Sequence, residues 1–119
     1  MAKGRSPVKP PSKGACLWME KGESCLAAGN TQQALACYDK ATAEDPESAD
    51  VWLSKCNCLK TLGKYDDALT CYEKALKLDP KSVAAWVNRG NTLVKLRRED
   101  EAMESFERAR REQGRKGSE

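Results

Sequence analysis

Residues 49–82 read ADVWLSKCNCLKTLGKYDDALTCYEKALKLDPKS, and the fold follows from the periodicity of this stretch. Val51, Trp52, Lys55, Leu59 and Leu62 recur at steps of three and four residues, the spacing that gathers side chains on one face of an α-helix. Gly63 interrupts the pattern; Ala68, Leu69, Tyr72, Ala75, Leu76 and Leu78 resume it, and Asp79-Pro80 closes it. Asp66 and Asp67 stand where carboxylates complement the positive end of a helix, and Pro80 disfavours helical geometry at Asp79. The stretch predicts helix, turn, helix.

Outward from it the same signals return at a fixed step. Trp18, Trp52 and Trp86 are 34 residues apart, and Ala34, Ala68 and Ala102, then Ala41, Ala75 and Ala109, keep that step. Tyr38, Tyr72 and Phe106 hold an aromatic in register, and Pro46 and Pro80 close the first two units. A 34-residue period of Trp, small residues, an aromatic and a closing proline resembles the tetratricopeptide repeat. The resemblance covers Ala15 to about Gln113 as units 15–48, 49–82 and 83–113, between a basic tail, 1–14, and a flexible end, 114–119. It implies an all-α solenoid wound as a right-handed superhelical array, with helices near 16–28, 31–44, 49–62, 65–78, 83–96 and 99–112. One unit cannot bury its apolar face alone; three stacked units share a continuous core.

The units differ in detail. The small residue early in the first helix is Gly22, Cys56 and Gly90, and the turn glycines Gly29 and Gly63 give way to Arg97, which is strained if its φ is positive. A long cation, Lys21, Lys55 or Arg89, stands where the family usually has Leu; its stem can lie on apolar surface. Unit three ends in Arg110, Arg111, Glu112 and Gln113, which reads as the polar outer cap a terminal repeat needs.

Composition narrows function. The chain has no histidine, which excludes His-dependent triads and imidazole acid/base work. Six cysteines without an export signal read as reduced thiols of a cytoplasmic protein. Cys56 and Cys58, the only close pair, point about 200° apart on a helix, so no metal site or cofactor is expected. No apolar run approaches a membrane span, and no phosphate loop or nucleophile motif occurs. The Glu99-Asp100-Glu101 triplet reads as a helix-start complement. The chain is therefore read as a non-enzyme. Its net charge of +3 belongs to the tail, which carries four basic residues and no acid; residues 15–113 hold 15 basic and 17 acidic side chains, so the body is not expected to bind nucleic acid.

In the family this chain resembles, the first helices of successive units line a concave groove that holds a partner's peptide segment. Carried over by repeat position, the groove would comprise Cys16, Met19, Glu20, Glu23 and Leu26; Asp50, Leu53, Ser54, Asn57 and Lys60; and Ala84, Val87, Asn88, Asn91, Val94 and Lys95. Met19, Leu53 and Val87 form an apolar stripe, and Asn57, Asn88 and Asn91 offer amides to an extended backbone. Cochaperone members grip a heat-shock chaperone's terminal carboxylate with Lys, Asn and Arg; the matching positions here are Met19, Glu23, Ser54, Ala84 and Asn88, which argue against that ligand. Three functions stay open: groove binding of a protein or peptide, capture of an anionic polymer or membrane surface by the basic tail, and self-association through the end faces.

Overall fold

The computed structural model describes residues 11–118, with side chains through residue 114. Six helices follow in order: α1 (Lys13–Ala27), α2 (Thr31–Glu44), α3 (Ala49–Thr61), α4 (Tyr65–Leu78), α5 (Val83–Lys95) and α6 (Glu99–Ser118). Each pair α1/α2, α3/α4 and α5/α6 forms one unit, and α2 packs on α3 and α4 on α5 to join them. The array is 20 Å across its shortest dimension, two helix diameters. It is an all-α tetratricopeptide-like solenoid, with no strand among the described residues.

Both expected boundaries move. Helix α1 begins at Lys13, inside the stretch expected as tail; Gly14 stands one period before the N-caps Ser48 and Ser82, of which Ser82 bonds its helix through its side chain and Ser48 does not. Ser12 caps α1, its side chain accepting from the Ala15 N–H at 3.2 Å, while Asp45 accepts from the Ser12 N–H at 2.8 Å. The rest of the basic tail, 1–10, lies outside the described residues. At the other end α6 runs to Ser118, past the expected start of a flexible end at 114.

The three helix junctions share one geometry. Gly29, Gly63 and Arg97 have φ of 84°, 80° and 63°. Each closes its turn with one N–H bond from the left-handed residue and one from the residue after it, onto the end of the preceding helix.

Units join through apolar and polar contacts. Val51 packs on Ala15 and Ala41 of unit one, Leu35 on Cys56 and Leu59, and Leu69 on Leu93 and Ala102. Val51 and Leu93 are fully buried, worth about 1.5–3 kcal/mol each. As expected, Tyr72 serves two units: it packs on Cys56 and Leu59 of its own, and its hydroxyl meets the Thr92 side chain of the next.

Candidate functional site

The packing is asymmetric across the array. The first helices approach closely, α1 to α3 and α3 to α5, whereas among the described residues no second helix comes as near to another, and side chains such as Leu69 and Ala102 bridge the gap. Contact on one face and separation on the other bend the stack, so the α1/α3/α5 face is concave.

The residues expected to line the groove fall into three groups. Met19, Leu26 and Leu53 are half-buried and pack against the core clusters beneath α1 and α3, so much of the apolar stripe belongs to the core; Val87 is half-buried as well. Asn57 and Asn88 are brought together: Asn57 Oδ1 accepts from Tyr72 Oη at 2.5 Å and from Asn88 Nδ2 at 3.1 Å, tying α3, α4 and α5. Glu23, Asn91, Val94 and Lys95 are exposed, with Lys60 partly so. Val94, at 45% exposure, is the most open large apolar side chain in this group.

Beneath the face Tyr38 and Tyr72 are buried. Burial pushes the Tyr72 hydroxyl well above its ordinary pKa, opposed by the Thr92 hydroxyl beside it. Burial, then the charge of Glu23, pushes Tyr38 up to about 12. Burial likewise raises the Cys56 and Cys58 thiols.

The opposite face holds features that sequence reading missed. Each repeat tryptophan lies under two cations: Trp18 under Lys21 and Lys40 at 4.7 and 5.2 Å, Trp52 under Lys55 and Lys74 at 5.2 and 5.8 Å, and Trp86 under Arg89 and Arg108 at 5.9 and 5.0 Å. Two of the indoles are also anchored by an N–H bond to a turn carbonyl, Trp52 to Pro46 at 2.7 Å and Trp86 to Pro80 at 2.8 Å. Separation of the second helices leaves two open clefts, one of about 560 Å³ between α2 and α4 over Trp52 and one of about 890 Å³ between α4 and α6 over Trp86. The recurrence of Lys40, Lys74 and Arg108 at the repeat step could have revealed these sandwiches.

Among the described residues no three metal-ligating side chains cluster, and no helix is long and apolar enough to cross a membrane.

Comparison with known proteins bears on this geometry. A search of curated proteins finds no significant match. Among solved structures, the second TPR of Spaghetti (RPAP3) bound to the HSP90 peptide SRMEEVD is 24% identical, with a TM-score of 0.77 over 82% of this chain and 90% of that one. The TPR2B domain of yeast Sti1 in a pHsp70 complex is 21% identical, with a TM-score of 0.82 over 85% and 81%. MamA is 22% identical, with a TM-score of 0.85 over 89% of this chain and 62% of MamA. Tetratricopeptide repeat models match residues 17–58, 49–82 and 71–104, which together cover 17–104 and reach into all three units, and the chain belongs to the tetratricopeptide repeat family.

Proposed function

We propose that this protein-interaction scaffold is a non-catalytic module that holds an extended segment of a partner protein against the concave face of α1, α3 and α5. The observation that carries the reading is the packing asymmetry. First helices in contact supply a continuous surface one peptide can follow, while the second helices are interrupted by clefts. The Asn57–Asn88 bond makes the floor rigid, which lowers the entropy lost on binding. Above it Asn91 offers an amide to a ligand backbone and Val94 an apolar contact. Asn57 contributes chiefly through its amide N–H groups, because its oxygen is engaged.

The solved relatives named with HSP90 or pHsp70 ligands support peptide binding as a use of this fold. The ligand class here is different. The positions matching the carboxylate clamp hold no cation, and Glu23 is an exposed acid that repels a terminal carboxylate. The reading favours an internal segment of a partner.

The test begins with peptides selected on the full chain from a random-sequence display library. Asn91→Ala with Val94→Ala is expected to weaken the selected peptides about tenfold or more, leaving the melting temperature unchanged because both side chains are exposed. Thr70→Ala with Lys77→Ala, on the second-helix side, is expected to leave affinity unchanged. Loss of binding in the second pair and not in the first would overturn the proposal.

A further inference from the structure

Among the described residues, the two ends of the array expose the same repeat positions that join its units internally. Leu17 is 60% exposed, whereas Val51 and Ala85, one and two periods later, are fully buried. Met103 is 69% exposed, whereas Leu69, one period earlier, is 6% exposed against unit three. By repeat position Leu17 stands where a unit meets a preceding one, and Met103, which also borders the α4–α6 cleft, where a unit meets a following one. The polar cap expected at the end of unit three is therefore incomplete: Arg110 is exposed, but Met103 is apolar and Glu112 is turned inward, its carboxylate 3.1 Å from Arg108.

Charge repeats in the same way. Lys55 Nζ lies 3.2 Å from Asp39 Oδ1, and Arg89 Nη2 lies 3.8 Å from Glu73 Oε2. Each pair sets a cation on the first helix of the later unit against an acid on the second helix of the earlier one. One period back from Lys55 stands Lys21; one period on from Glu73 stands Glu107. The head of the array thus carries the cation and the tail the acid of one more such pair.

We propose that a second copy of the chain docks head to tail, with unit one of one molecule stacking on unit three of another. In the internal register Leu17 lies over Ala109, the counterpart of Ala41 beneath Val51, and Lys21 meets Glu107. Both end faces are used once per junction, so the contact is heterologous and the assembly stays open rather than closing as a dimer. Arg110 stands where unit two has the buried Leu76, which makes this junction weaker than an internal one. Glu107 bonds Arg110 within its own helix, an exposed pair that exchanges at little cost. The association is independent of what occupies the groove, whose first-helix surface it would extend from one copy to the next.

Sedimentation velocity on the full chain without ligand tests this over a concentration series. The wild-type weight-average coefficient is expected to rise with concentration. Leu17→Glu blocks the head and Met103→Glu the tail, so each variant alone is expected to remain monomeric, while their equimolar mixture forms a heterodimer through the one intact head and one intact tail. Lys21→Glu or Glu107→Lys alone is expected to weaken association by roughly three- to tenfold, and the double reversal to restore it. A wild type that stays monomeric throughout, a mixture of the leucine and methionine variants that does not associate, or either of those variants associating alone would overturn the proposal.

Discussion

At the junction between its helices unit two has Gly63 at φ 80°, and unit three has Arg97 at φ 63°, yet the same pair of N–H bonds closes both turns. Stacking sets the turn geometry, and the local residue either accommodates it or bears strain. The aromatic position shows a second contrast. Tyr72 packs against Cys56, and its hydroxyl reaches Asn57 and Thr92; Phe106 lies over Gly90, where an added Cβ would come within 2.6 Å of the ring. A hydroxyl occurs where a following unit buries the ring and supplies polar partners. The aromatic of unit three, Phe106, has none.

The largest effect that would break this contrast is loss of the central ring. Tyr72→Ala removes a fully buried aromatic shared by two units and is expected to cost about 3–5 kcal/mol, enough to unfold much of an array this small. An unchanged melting temperature would show that the second and third units do not lean on this ring.

Next comes the close approach of helix to ring in unit three. Gly90→Ala is expected to destabilise by about 1–3 kcal/mol through overpacking on Phe106, whereas Cys56→Ala, where the ring already tolerates a Cβ, should cost less. Urea unfolding of the two variants side by side checks the order, and a Gly90→Ala chain as stable as wild type would contradict the packing described.

Alkaline titration separates the units by their aromatic. Tyr38 rises from 10 to about 12 in the folded chain, so the folded state keeps its proton longer than the unfolded one. That contribution to stability is complete below pH 10 and lost as pH climbs from 10 through about 12, with Tyr72 shifted in the same direction. Tyr38→Phe should flatten the fall seen by circular dichroism, because Phe106 in unit three contributes none. An equally steep fall in that variant would assign the alkaline loss elsewhere.

The smallest effect concerns the strained junction. Arg97→Gly is expected to stabilise by about 1 kcal/mol, the cost of a side chain in the left-handed region, while Gly63→Arg imposes the same cost on unit two. Thermal unfolding that moved both variants in one direction would contradict the shared geometry.

The sequence carried the period, the six helices, the strain at Arg97 and the two-unit role of Tyr72, because each depends on local propensity or on a repeat that restates the same contact. It did not carry the start of α1, where Ser12, off the period, is the residue that caps the helix. Nor did it show that Asn57 is tied to Asn88, 31 residues away, since that bond depends on how α3 and α5 are set side by side. Asn57 and Asn91 stand one period apart and were both read as amides offered to a ligand; the structure makes one part of the floor and leaves the other exposed. The cations over the tryptophans were legible as recurring charges, but their aromatic partners emerge only when first and second helices pack. The exposure of Met103 was hidden for the opposite reason: the charged residues around it look like a cap, and exposure depends on packing rather than on the period.

Mapping amide chemical-shift changes on the full chain, as a library-selected peptide is titrated in, tests the central claim most directly. The account predicts that the perturbed amides lie along α1, α3 and α5, strongest around Asn91 and Val94, with the second helices little changed. Perturbations concentrated in the α2–α4 and α4–α6 clefts, around Thr70, Lys77 and Arg111, would place the working surface on the outer face and contradict it.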